Sequence, residues 1–112
     1  MHKGEVWLIN LDPIVGAEIQ KTRPAIIVSE DELGVLPLRV IVQLTEWKDR
    51  YRIAGWMVRI DPDPTNGLSK PSAADAFQIR SVSQARFVNR IGIIPGALLQ
   101  EILKSIQTVI GV

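Results

Sequence analysis

Apolar residues fall into two periods along this chain, a short one over the first four-fifths and a longer one in the tail. From Glu5 to Leu11, Trp7, Ile9 and Leu11 lie on one side of an extended backbone and Val6 and Leu8 on the other, which predicts a strand. Pro13 and Gly16 then open an irregular loop that runs to Arg23. Pro24 to Ser29 holds the unbroken apolar run Ala25-Ile26-Ile27-Val28, the pattern of a strand buried on both faces, with Pro24 at its start where no ladder donor is required. Val40, Val42 and Leu44 alternate with Ile41, Gln43 and Thr45 in a third strand, and Ile53 to Ile60 reads as a fourth with Trp56, Val58 and Ile60 in phase. Asp61-Pro-Asp-Pro-Thr-Asn-Gly67 is dense in turn formers and reads as a connection. Ser72 to Ile79 and Phe87 to Ile94 are the last two predicted strands, separated by a short helical turn hinted at by the capping-box spacing of Ser81 and Gln84. In the tail, Leu98, Leu99, Ile102, Leu103, Ile106, Val109 and Ile110 recur every three or four residues, with Pro95 near the start and Gly111 just past the end. The whole predicts a mainly β, α+β fold: an antiparallel, strongly bent sheet or small barrel, one face covered by an amphipathic C-terminal helix.

Composition narrows the chemistry. At 112 residues, 46% hydrophobic and 22% charged, the chain has the balance of one ordinary globular domain spanning residues 1–112. No window nears the eighteen or so consecutive apolar residues of a membrane span, and no apolar segment follows Lys3 as in a signal peptide, so a cytoplasmic protein away from membranes is expected. The absence of cysteine removes thiolate nucleophiles, disulfides and cysteine-ligated metals, and the lone histidine, His2, cannot build a zinc site. Any catalysis is left to carboxylates, hydroxyls, arginine or lysine.

Thirteen basic against twelve acidic residues give a net charge of +1, which does not announce a nucleic-acid binder. Base gathers at Lys48, Arg50 and Arg52 and again at Arg80, Arg86 and Arg90; a positive stripe and a merely solvated face are both open readings. Arg23 stands where the loop carrying Glu18, Gln20, Lys21 and Thr22 enters a buried strand. A guanidinium there can clamp a phosphate and stabilise charge growing in a transition state, or it can make a structural ion pair. Thr45 ends the third strand, where a hydroxyl either donates to a phosphoryl oxygen or satisfies local backbone. The following loop interleaves Trp47, Lys48, Arg50 and Tyr51, which suits bases stacked on rings, or equally a hairpin with Trp47 or Tyr51 folded onto the core.

Several motifs in order resolve these choices by likeness. Gly4-Glu5-Val6-Trp7, Leu11-Asp12-Pro13, Gly16-Ala17-Glu18, Arg23-Pro24-Ala25 and Ile27-Val28-Ser29 resemble the N-terminal signature of the MazF/PemK toxin ribonucleases of type II toxin–antitoxin systems. Val42-Gln43-Leu44-Thr45 and Gln78-Ile79-Arg80-Ser81-Val82 extend the resemblance over nearly the whole chain. It implies an SH3-like barrel of five or six strands, a homodimer, no cofactor or metal, sequence-specific cleavage of single-stranded RNA, and neutralisation by a cognate antitoxin. By motif position Arg23 and Thr45 would be the catalytic pair, with Glu18 on the neighbouring loop contributing; the candidate acceptors of the 2′ proton are Glu18 and, failing it, water. RNA contacts would come from Gln20, Lys21, Thr22, Trp47, Lys48, Arg50, Tyr51, Gln78 and Arg80.

The residue inventory fits that chemistry independently, because RNA brings its own 2′-hydroxyl nucleophile and asks the protein for alignment and charge stabilisation. Two departures bear on the RNA groove: Gln20-Lys21-Thr22 replaces a stretch that often holds glycine, and Phe77 replaces an acidic residue common before the glutamine. The resemblance therefore carries no cleavage sequence. Competing readings are a CcdB-like gyrase poison, disfavoured by the Ile110-Gly111-Val112 end without a tryptophan, and a non-cutting SH3-like module that binds RNA or peptide.

Overall fold

The computed structural model describes residues 1–11 and 22–112. Six strands, β1 (Glu5–Asn10), β2 (Thr22–Ile27), β3 (Leu38–Glu46), β4 (Met57–Ile60), β5 (Ser72–Ser83) and β6 (Phe87–Ile93), precede one helix, α1 (Gly96–Ile110). They form one antiparallel sheet in the order β4-β5-β3-β2-β1-β6. The mainly β architecture with its C-terminal helix is the one the periodicity predicts. No helix among the described residues is long and apolar enough to cross a membrane.

Strand alternation divides the core in two. Val6, Ile26, Val28, Val42 and Leu44 project to the face covered by Ile102 and Ile106 of α1, while Ile9, Ala25, Ile27, Ile41 and Val82 pack together on the opposite face with Trp7 and Phe87. The unbroken run 25–28 is thus buried on both sides, two residues to each cluster. The helix ends at Gly111, whose φ of +86° provides the left-handed cap that lets its N–H reach the Gln107 carbonyl at 2.8 Å.

A sharp bend in β5 shapes the molecule. Val42 pairs with Ile79 and Leu44 with Ala74, so the single residue Gln43 faces the four residues 75–78. Within that kink the Ala76 N–H donates to the Trp56 carbonyl at 2.9 Å and the Phe77 N–H to the Asp75 carboxylate at 3.0 Å. The first half of β5, with β4 beside it, consequently turns away from the second half.

Two predicted elements differ. The stretch 53–60 is a strand only over β4; before it the chain makes a 3₁₀ helix, Asp49–Ile53, and Ile53 is 94% exposed. The helical turn near residue 84 exists as Gln84–Arg86, but Ser83 caps it, accepting the Ala85 N–H at 3.2 Å, because β5 runs on through Ser81.

Candidate functional site

Arg23 and Thr45, 22 positions apart in sequence, line one cleft. The β2–β3 ladder pairs Ile27 with Ile41, Ile26 with Val42 and Ala25 with Gln43, which brings the end of β2 that carries Arg23 beside the end of β3 that carries Thr45. Arg23 is paired with Ile9 on β1 and Thr45 with Ala73 on β5. Pro24, Gln43, Leu44 and Glu46 join them in lining an open cleft of about 450 Å³, closed on its far side by Lys70 and Ser72.

The groups in this cleft are uncommitted. Arg23 and Thr45 are exposed, and among the described residues no hydrogen bond or ion pair holds the guanidinium or the hydroxyl. Lys70 meets Glu46 at 3.7 Å, but both side chains are 62% exposed, and such a pair contributes little and yields readily to another anion. Two cations therefore share a concave surface with a hydroxyl near a strand end, an arrangement suited to a tetrahedral, multi-oxygen anion such as a phosphodiester.

The remaining predicted contacts are distributed around it. Thr22 opens β2, half-buried opposite Asn10. Glu18, Gln20 and Lys21 lie outside the described residues. Trp47 is half-buried outside both core clusters: its backbone N–H donates to the Pro71 carbonyl at 3.0 Å, Arg59 lies 5.2 Å over its ring, and Tyr51 meets it edge-on at 5.9 Å. Its indole N–H is buried with no partner among the described residues. Lys48 and Arg50 remain outward, Arg50 stacking 5.5 Å over the Tyr51 ring. Gln78, at the kink facing Gln43, and Arg80, opposite Ile41, are exposed on β5 but do not line the cleft.

The second basic cluster does not form a free stripe. Arg86 donates to the Asn10 carbonyl at 3.3 Å, and Arg90 Nε lies 3.2 Å from the Glu5 carboxylate. Glu5 is buried, which by itself disfavours its charge. The His2 N–H at 2.9 Å, the Trp7 indole N–H at 2.9 Å, the chain's amino terminus and Arg90 outweigh that burial and hold the carboxyl below its ordinary value. A carboxyl depressed in the folded state stabilises above its unfolded value, about 4.3, and that contribution is lost as pH falls through the folded value. Denaturant unfolding of Glu5→Gln should accordingly lose stability at neutral pH and vary less with pH than the unsubstituted protein below about pH 4.3. Parallel curves for the two proteins would contradict this role.

Lys70, Glu46, Gln43 and Ser72 were not singled out by sequence. A signal for Lys70 exists: Arg23-Pro24 and Lys70-Pro71 are both basic residues before a proline at the entrance to a strand, and the proline holds each in extended backbone.

Residues 2–110 match the family described as PemK-like, MazF-like toxin of type II toxin–antitoxin system. Endoribonuclease PemK of Escherichia coli is 32% identical over 112 residues, covering 98% of this chain and 82% of PemK. Endoribonuclease MazF9 of Mycobacterium tuberculosis is 30% identical over 111 residues, covering 96% and 93%. Among solved structures, an endoribonuclease in complex with its cognate antitoxin from a mycobacterial species superposes with a TM-score of 0.78 at 19% identity, covering 100% of this chain and 96% of that one. A MazE–MazF structure from Deinococcus radiodurans gives 0.77 at 22% identity, covering 99% and 96%. At those identities the structural likeness is one of fold.

Proposed function

The chain belongs to the family of PemK-like, MazF-like toxins of type II toxin–antitoxin systems, and from that premise we propose that it is an endoribonuclease toxin that cuts single-stranded RNA, such as mRNA, in the cleft between Arg23 and Thr45. The observation that carries this reading is an uncommitted guanidinium and an uncommitted hydroxyl lining one concave surface. The relatives' activity and the resemblance of the motif order support it.

The reaction needs little from the protein beyond geometry and charge. The RNA 2′-oxygen forms a bond to the adjacent phosphorus, the bond from phosphorus to the 5′-oxygen breaks, and the 2′ proton leaves as another reaches the departing oxygen. Arg23 takes the charge that accumulates on the dianionic phosphorane and hydrogen-bonds the leaving oxygen; a guanidinium has donors only and so is not the base. The Thr45 hydroxyl donates to a non-bridging oxygen. The 2′ proton goes to the Glu18 carboxylate or, failing it, to water. The products are a 2′,3′-cyclic phosphate and a 5′-hydroxyl, with no metal in any step. A homodimer in the cytoplasm, neutralised by a cognate antitoxin, completes the proposal; the toxin–antitoxin complexes among the structural neighbours support the last of these partners.

The test is incubation of the folded protein with long single-stranded RNA in the presence of a chelator. New 5′-hydroxyl and 2′,3′-cyclic phosphate ends are expected. Intact RNA would overturn the enzymatic reading, and RNA bound but not shortened would put a plain binding module in its place.

A further inference from the structure

A second cleft adjoins the first. It has a volume of about 220 Å³ and is walled by Leu8 of β1, Ile91 of β6 and Leu68 of the segment before β5. Pro24, Lys70 and Ser72 line both clefts, so the two share one wall, and Lys70 stands at the passage between them. The connecting segment is held firmly on either side of Lys70. Upstream, the Leu68 N–H donates to the Asn66 side chain at 3.0 Å; downstream, the Ser72 hydroxyl donates to the Lys70 carbonyl at 3.1 Å.

We propose that this second cleft seats a nucleobase of the RNA next to the scissile phosphate, while Lys70 grips the intervening phosphate. The proposal rests on the ribonuclease reading of the first cleft. Its basis is the sequence of surfaces a bound strand would meet: Arg23 and Thr45, then a cation, then an apolar slot. That order matches the alternation of phosphate and flat, weakly hydrated base along a nucleic acid. The Glu46–Lys70 pair at 3.7 Å is loose enough for a phosphate to take the place of the carboxylate. Because the slot is apolar while the cation is at its mouth, the two features have separable effects. The apolar walls read a base by its size, purine against pyrimidine, and Lys70 holds either.

Ser69 separates them experimentally, since it is exposed and lines the second cleft but not the first. Ser69→Trp fills the slot from outside and leaves the core untouched; Ser69→Phe serves if tryptophan is not accommodated. The probes are labelled 2′-deoxy homo-oligomers of each base, which bind without being cut. The unsubstituted protein should prefer purine or pyrimidine oligomers by about tenfold, the low end of what a difference in fit to an apolar pocket produces. Ser69→Trp should bind all four alike. Lys70→Gln should weaken all four equally and lower the salt slope by about one ion. Mapping of 5′-hydroxyl ends from a transcript pool should then show one flanking base preference lost in Ser69→Trp. Unchanged base preference in Ser69→Trp and Ser69→Phe, both folded, overturns the proposal. A protein that binds with these preferences but cuts no RNA overturns the ribonuclease reading instead.

Discussion

Replacing Arg23 by alanine is expected to lower the rate of RNA cleavage by about a hundredfold or more, the loss seen when one donor to a developing oxyanion is removed, while the melting temperature stays unchanged. The two halves of that expectation have separate grounds. The rate should fall because Arg23 is the cation that lines the cleft with Thr45, and neither group is engaged elsewhere among the described residues. Stability should hold because the guanidinium is exposed and contributes no ion pair there, whereas its neighbours Ala25, Ile26 and Ile27 carry the packing. Arg23→Lys retains the charge but loses the paired donors, so it should recover only part of the activity. Single-turnover cleavage of a mapped substrate with protein in excess is the appropriate measurement, because it isolates the chemical step from product release. An Arg23→Ala protein that cuts at the unsubstituted rate would remove the guanidinium from the mechanism. A lowered melting temperature would recast it as structural.

The elements legible in the sequence are those whose partners are local or whose burial is complete. Val40 to Thr45 alternates because its two faces meet the two core clusters, and α1 repeats at helical spacing because one stripe meets the sheet. The segment 53–60 carries an equally convincing alternation, yet Ile53 and Trp56 are exposed. The reason is a succession of turns: the N–H groups of Tyr51, Ala54 and Met57 donate back to the carbonyls of Lys48, Tyr51 and Ala54 at 2.9 to 3.0 Å, so those donors are unavailable to a ladder. Periodicity reports which side chains share a face, not which backbone donors are already spent.

The site divides along the same line. Arg23 and Thr45 carry a motif order that the sequence displays, although their sharing of one cleft depends on a strand pairing no local pattern reveals. Lys70 belongs to the site only because residues 61–71 return across the sheet. That return is fixed non-locally by the Ile93 N–H, which donates to the Thr65 carbonyl at 2.9 Å, while buried Asn66 ties the segment to itself, donating to the Asp61 carbonyl at 2.9 Å and accepting from Leu68 at 3.0 Å. Trp47 shows the converse: the sequence presents a ring among cations, and the cation over it is Arg59, on β4, rather than a neighbour in the loop.

The return of that segment also bears the largest expected loss of stability. At Gly92 an added Cβ would lie 2.4 Å from both the Asn66 carbonyl carbon and the Thr65 carbonyl oxygen, and at Gly67 it would lie 2.2 Å from the Ile91 carbonyl oxygen. Two backbones thus interlock through two glycines, with the Ile93 N–H donating to the Thr65 carbonyl at 2.9 Å beside them. Gly67 is further restricted by its φ of +72°. Because the obstructing atoms at Gly92 are main chain, they cannot rotate aside as a flexible side chain would. Gly92→Ala should therefore cost about 3 kcal/mol or more, the upper end for overpacking, against a total stability of about 5–15 kcal/mol for a domain. Gly55→Ala, whose methyl would meet nothing within 4 Å, provides the control and should change stability little. Urea unfolding of the three proteins measures the difference directly, and equal midpoints would show that β6 and the turn can part at little cost. If Gly92→Ala folds at low temperature, the displaced turn should move Lys70 and Ser72 together, since both follow it on the wall common to the two clefts. RNA affinity would then fall even though no residue of either cleft was changed.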